Sequence, residues 1–420
     1  MKIRGLIAAT VLVYSLQGNY LSEVFKEVKV DGELRVVHFS RTADDSYIFS
    51  KAQGTAVGGN IGLTIKPTNN FKVSARFYTT QPINADDELM PSTYLVDGTK
   101  GYSILGEANL AYDNKIFKLK VGRQALKTPL IASQHDARVI KGLFEAVSLS
   151  TTLLSDTILH ALYIHRNSGM DNGSSNYNHD VSAKNFVSMS KTLGTTYDKG
   201  MAVVGLENKY LEGLKLNAWY YYGIELIDMF YLDASYAFKV NDVGLKLEGH
   251  YWDIKSQSEY EEDTGKKIDY NYGGIRGTVG YSDFILQFAR EQINYKNETH
   301  GIQTAWGMYS GYTFGSLIGS GIYGALNGIG GKYLTQVDAS KITFIYNFTE
   351  GVMLSGSYNW WIGGKDDFQS DINVADILVE WPSQVVDNGK WQLIYENWDS
   401  KSENIMVDNN LVRAKFTYTF

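Results

Sequence analysis

From about residue 28 to the C-terminus the chain alternates apolar and polar residues in segments of roughly 9 to 12 residues, the length of a tilted strand that crosses a bilayer. Phe71, Val73, Ala75 and Phe77 share one face of such a segment, and Lys72, Ser74 and Arg76 the other. Leu214, Leu216, Ala218, Tyr220 and Tyr222 oppose Lys215, Asn217, Trp219 and Tyr221 in the same way. Val243, Leu245, Leu247, Gly249 and Tyr251 oppose Lys246, Glu248, His250 and Trp252, and Ile342, Phe344, Tyr346 and Phe348 oppose Lys341, Thr343 and Asn347. One wall of each strand suits lipid and the other suits water. Helical periodicity is nearly absent after residues 21–28.

Very short turns, at 67–70, 113–115, 154–156, 211–213, 240–242, 282–283 and 349–351, join some strand pairs, whereas the connections between those pairs are mostly much longer. A barrel with tight turns at one end and long loops at the other produces this alternation; a soluble sandwich has no reason to keep one end tight. Strands are predicted near residues 28, 55, 71, 102, 116, 144, 157, 201, 214, 227, 243, 270, 284, 338, 352, 372, 390 and 409, about 18 in all, a number that encloses an aqueous channel. The predicted fold is an all-β transmembrane antiparallel barrel with short periplasmic turns and long outer loops.

The ends of the sequence agree with export. Lys2 and Arg4 precede a short apolar run at 5–14 and a polar exit at 15–19, which predicts a signal peptide over 1–19 and a single barrel domain over 20–420. In the last segment Val412, Ala414, Phe416, Tyr418 and Phe420 face lipid, while Arg413, Lys415, Thr417 and Thr419 face the lumen. Ending on Phe420 of the apolar face resembles the assembly signal of bacterial outer-membrane barrels, which implies the barrel-assembly machinery and outer-membrane lipid as partners. Aromatic strand ends such as 220–222 and Trp360-Trp361 suit interfacial girdles.

Composition removes several chemistries. The 420 residues include no cysteine, so disulfide scaffolds, thiol catalysis and iron–sulfur clusters are excluded. With 39 basic and 46 acidic side chains the formal net charge is -7, which argues against a general nucleic-acid surface and requires any positive field to be local. Strand parity supplies such a field: Lys72, Arg76, Lys118, Lys120, Lys215, Lys246, Arg276, Lys341, Arg413 and Lys415 fall on the lumen face, against fewer acids, among them Asp233, Glu248, Asp376 and Glu380. Arg123, Arg290 and His160 share parity with apolar neighbours; a cation at the lipid midplane costs about 2 to 4 kcal/mol, so a bulge, an interface or a strand end is expected at each.

The stretch Gly122-Arg123-Gln124-Ala125-Leu126-Lys127-Thr128-Pro129, followed by Asp136-Ala137-Arg138 and Phe144-Glu145-Ala146, resembles the OprD-type family of substrate-specific outer-membrane porins, especially its epsilonproteobacterial versions, shading toward the major outer-membrane porins of campylobacters. The segments at 25–35, 231–236, 344–348 and 355–359 agree with it. The resemblance implies an 18-stranded barrel whose third loop, over 125–143 here, folds inward, with basic side chains guiding small carboxylate-bearing solutes, including amino acids. Arg123, Lys127, Arg138 and Lys141 are then the constriction cations, and Asp136 and Glu145 face them, either to contact an ammonium group or simply as ion pairs in a packed loop.

No catalytic or metal motif competes. Gly319-Ser320-Gly321-Ile322-Tyr323-Gly324 fits a dinucleotide fingerprint in spacing only, and belongs to a glycine-rich stretch at 307–331 expected to be a long loop. The acidic runs Asp44-Asp45, Asp86-Asp87 and Glu261-Glu262-Asp263 read as solvated loop charge. No enzyme activity, cofactor or metal is expected. A secreted soluble β-rich carbohydrate-binding protein or hydrolase, and a non-conducting barrel adhesin, are the competing readings. Alternation does not distinguish a monomer from a homotrimer.

Overall fold

The structure, a computed structural model, describes residues 28–43, 51–84, 95–97, 100–133, 138–169, 182–296, 306, 311–313, 336–363, 370–401 and 408–420. The expected signal peptide, Asp136, the acidic pairs at 44–45 and 86–87, and nearly all of the glycine-rich stretch lie outside them. The first seven strands are β1 (Val28–Ala43), β2 (Ala52–Ile65), β3 (Phe71–Asn84), β4 (Tyr102–Asp113), β5 (Phe117–Gln124), β6 (Leu143–Leu154) and β7 (Thr157–Ser168). After the two-residue β8 (Val187–Ser188) come β9 (Met201–Asn208), β10 (Leu214–Gly223), β11 (Ile227–Val240), β12 (Val243–Ser256), β13 (Asp269–Tyr281) and β14 (Phe284–Tyr295). The ring is completed by β15 (Gln336–Asn347), β16 (Met353–Gly363), β17 (Ser370–Pro382), β18 (Gly389–Ser400) and β19 (Asn409–Thr419).

Each ring strand is antiparallel to its sequence neighbours, β7 pairs directly with β9, and β19 pairs with β1 from Glu33 opposite Thr419 to Ala43 opposite Asn409. The result is a closed barrel of 18 strands, with β8 attached to the top of β7 outside the ring. Closure leaves no unpaired edge. All the predicted strands are present at their predicted places. The short turns exploit residues that tolerate a left-handed backbone, with positive φ at Asp156, Asn241 and Asn388, and at Gly213 and Gly351. The turn around Asn388, between β17 and β18, is a further tight one that the alternation does not reveal.

The wall is polar inside and apolar outside. Leu247 and Ile275 are each 60% exposed, and Phe71, Leu110, Val121, Phe230, Phe288 and Phe344 are exposed on the same outward face. The girdle residues split by parity: Tyr220, Tyr222 and Trp360 face outward, but Tyr221 and Trp361 are buried on the inward face, because adjacent strand residues cannot share a side. Among the described residues one short α-helix, α1 (Ser258–Thr264), caps the β12–β13 connection. It changes the reading of the acidic run there: Asp263 accepts hydrogen bonds from the Thr196 amide (2.7 Å) and hydroxyl (2.8 Å), and Glu261 accepts one from Ser256 (2.6 Å).

Candidate functional site

The connection after β5 turns into the barrel. Thr128 stabilises its first bend, donating from Oγ1 to the Ile131 carbonyl at 2.7 Å, and Leu126 and Ser133 exchange backbone and side-chain bonds. Leu130 and Ile131 are fully buried, and the Leu130 amide donates to the Tyr221 hydroxyl of β10 at 3.1 Å. The Ala132 amide donates to the Trp306 carbonyl at 2.9 Å, while the indole of Trp306 donates to Thr192 at 2.7 Å. On the opposite side Val139 fits over Gly58, where a Cβ would stand 2.6 Å from Val139 Cγ1, and the Arg138 carbonyl accepts from Arg35 of β1 at 2.9 Å. The loop is therefore a chord fixed at both ends, on β10 and on β1–β2.

That fit explains the composition of β2. Its inward residues are Ala52, Gly54, Ala56, Gly58, Asn60, Gly62 and Thr64, as the register with β1 requires. Small side chains leave the space that the loop occupies, and Gly62 leaves room for the Arg76 guanidinium.

Two adjoining cavities flank the chord. One, of about 480 Å³, is lined by Lys72, Lys118 and Lys120 of the wall, with Lys127, His160 and Glu107. The other, of about 670 Å³, lies between the loop and β9–β11, where Lys127 and Lys141 meet Glu207, Asn217, Trp219 and Tyr231. His160 of β7 belongs to this water-facing wall: its Nε2 lies 3.2 Å from Glu207 and its ring stacks on Trp219 with centroids 4.8 Å apart. Leu162 and Ile164 share its inward parity, pack under the loop, and are not a lipid face.

Four of the ten predicted lumen cations lie beside an acid among the described residues. Arg76 pairs with Asp31, and Glu107 gathers the Tyr78 hydroxyl at 2.6 Å, Lys141 at 3.7 Å and Arg76 at 3.8 Å. Glu248 holds Lys246 at 2.6 Å and Arg276 at 2.7 Å, and Lys341 lies 3.9 Å from Asp376. Arg413 and Lys415 face inward as predicted but are only 1% and 6% exposed, and Arg413 donates to Gln392 at 2.5 Å. A buried cation needs a partner, and these two brace the wall. Lys72, Lys118, Lys120 and Lys215 have no carboxylate within 4 Å among the described residues, so the basic lining is only partly paired. Asp31, Glu33, Glu107, Glu207, Glu291 and Glu396 were not read from the alternation. Glu107 was hidden by a register shift at Gly106, for which a lone glycine inside a strand is the available signal.

Arg123 and Glu145 require correction. In the ladder Arg123 opposes Ala108 and Glu145, in register with the outward Val121 and Val147. Arg123 binds Glu145 at 3.0 Å and the Leu105 carbonyl at 3.1 Å, and lies over the Phe186 ring at 4.2 Å. With Arg166 and Asp198, 3.7 Å apart, it forms an outward ion network at the long-loop end of the barrel, where strands rise beyond the apolar belt. Arg290 is its counterpart on β14, outward and 3.5 Å from Asp338.

A second inward element is fixed by Glu291, whose side chain is fully buried with His250 3.1 Å away. It accepts from Tyr272 at 2.5 Å, from the Tyr312 and Thr313 amides at 2.5 and 2.8 Å, and from the Thr313 hydroxyl at 2.5 Å. Gly311, at φ +85, allows this approach, and Tyr312 lies under the Arg276 guanidinium at 4.4 Å.

No protein-family model matches the chain, and no curated protein matches it. Solved structures do resemble it. Pseudomonas aeruginosa OccK9 (OpdG) superposes with a TM-score of 0.75 at 14% identity over 94% of this chain and 99% of that one. P. aeruginosa OpdK, solved with vanillate, gives 0.72 at 14% identity, with 94% and 99% covered, and Acinetobacter baumannii OccAB2 gives 0.72 at 14%, with 94% and 98% covered. At these identities the shared property is the 18-stranded barrel fold.

Proposed function

We propose that this protein is a passive porin of a Gram-negative outer membrane, admitting small hydrophilic solutes that bear a carboxylate or are zwitterionic, and that it is a channel and not an enzyme. The inverted polarity of the closed wall carries the reading: apolar side chains are exposed around the outside, while charges, amides and hydroxyls line the inside on both sides of an inward loop. A soluble sugar-binding protein would bury those apolar faces against each other, and so large an exposed belt would drive aggregation. The barrel shared with OccK9, OpdK and OccAB2 supports the same reading, and vanillate, an aromatic carboxylate, is the kind of anion proposed. The motif around Gly122 supports the epsilonproteobacterial type.

In the proposed mechanism the solute's carboxylate is drawn to Lys127 and Lys141, and an ammonium group to Glu207 across the same cavity. Low-dielectric walls focus the field there and raise local solute concentration. The exposed aromatic Phe420, whose amide and carbonyl pair with Gly32, would serve the barrel-assembly machinery. Reconstitution of the purified chain in planar bilayers tests the proposal. Discrete single-channel steps are expected, with a reversal potential favouring chloride over potassium; a protein that stays soluble without detergent and never inserts would overturn it.

A further inference from the structure

Unmatched positive charge in the lumen includes Lys215 on β10, but its largest grouping lies at one place. Among the described residues Lys72, Lys118, Lys120 and Lys127 have no carboxylate within 4 Å, whereas Arg76, Lys141, Lys246, Arg276, Lys341 and Lys390 all have one. The four free ammonium groups line a single cavity of about 480 Å³ on the short-turn side of the inward loop. Two carboxylates reach that cavity, and both are engaged elsewhere. Glu107 holds Tyr78, Lys141 and Arg76. Asp113, although opposite Lys118 in the ladder, accepts from the Lys115 amide in its own turn at 3.1 Å. Hydroxyl and amide groups of Ser74, Ser148, Ser150 and Asn109 fill the spaces between the lysines, so neutral donors surround the cations. One monovalent carboxylate would leave most of this charge unbalanced.

We infer that this vestibule is a binding site for a small dianion, a solute carrying two negative charges as a dicarboxylate or a phosphate does, held after it passes the loop. The inference rests on the porin reading and narrows its solute class. Two groups of like charge within one cavity favour a ligand that can satisfy both, and proximity makes the second contact intramolecular.

The experiment is block of the chloride current through the full chain in planar bilayers, with additions made to one side at a time at fixed ionic strength. Succinate and inorganic phosphate at about pH 8, where phosphate is mostly dianionic, are expected to block at concentrations at least about tenfold lower than acetate, and more strongly from one side. Block by succinate alone, or by phosphate alone, would identify which dianion the site takes. In the variant K72Q/K118Q/K120Q the advantage over acetate should vanish. Isothermal titration of the native chain in detergent with each anion gives an answer independent of how the variant folds. Channels blocked equally by acetate and by dianions, or a native chain showing no dianion heat, would overturn the site and leave the porin intact. Absence of any channel would instead overturn the porin reading itself.

Discussion

Lys141 reaches into the cavity beside the loop with Glu107 3.7 Å away, and burial, with Arg76 and Arg35 nearby, holds its ammonium below the ordinary lysine value of 10.5 even against the attraction of Glu107. A lowered affinity for the proton means that its charge is lost earlier than for an exposed lysine as pH rises. Anion preference is therefore expected to fall in a step below 10.5 when reversal potential is followed from about pH 7 upward. Lys141→Gln should show weaker anion preference at neutral pH and lack that step. Arg123 makes the opposite prediction. Because it binds Glu145 and Phe186 on the outer surface, Arg123→Gln should leave ion selectivity unchanged and cost about 1 kcal/mol of stability, read from the unfolding midpoint in detergent. A changed reversal potential would return Arg123 to the pathway.

Elements hold the site where single residues could not. The inward loop buries Leu126, Leu130, Ile131, Val139 and Ile140, each contributing about 1.5 to 3 kcal/mol, and is pinned to β10 and β1 by hydrogen bonds. Its fit depends on β2 presenting glycine and alanine inward. Gly58→Val would crowd the Thr79 carbonyl of β3 as well as Val139 and so displace that end of the chord, so single-channel conductance should change and open-channel noise should rise. Conductance identical to the native protein would show that the loop tolerates its displacement. The buried Glu291 cluster does the same for residues 311–313, giving the lumen a second fixed element opposite the first.

The whole molecule is an inside-out arrangement whose stability depends on lipid around its belt. Leu247 lies on β12 near the middle of that belt, 60% exposed, so Leu247→Arg should destabilise the barrel in bilayers by about 2 to 4 kcal/mol, measurable by denaturant-induced unfolding in vesicles. The same substitution in a soluble protein would be nearly neutral at so exposed a position. The periodicity of the sequence by itself determined the strand number, seven of the tight turns and the facing of Lys72, Arg76, Lys246 and Arg276, because a closed antiparallel wall between lipid and water imposes a strict two-residue alternation on every strand. Only the tertiary structure decided which of those charges remain unpaired, that Arg123 pairs with Glu145 rather than with a solute, and that His160 and Glu207 meet at the loop. Those outcomes turn on register shifts, on strand ends that rise past the belt, and on contacts between segments far apart in the chain, and a local alternation carries no information about any of them.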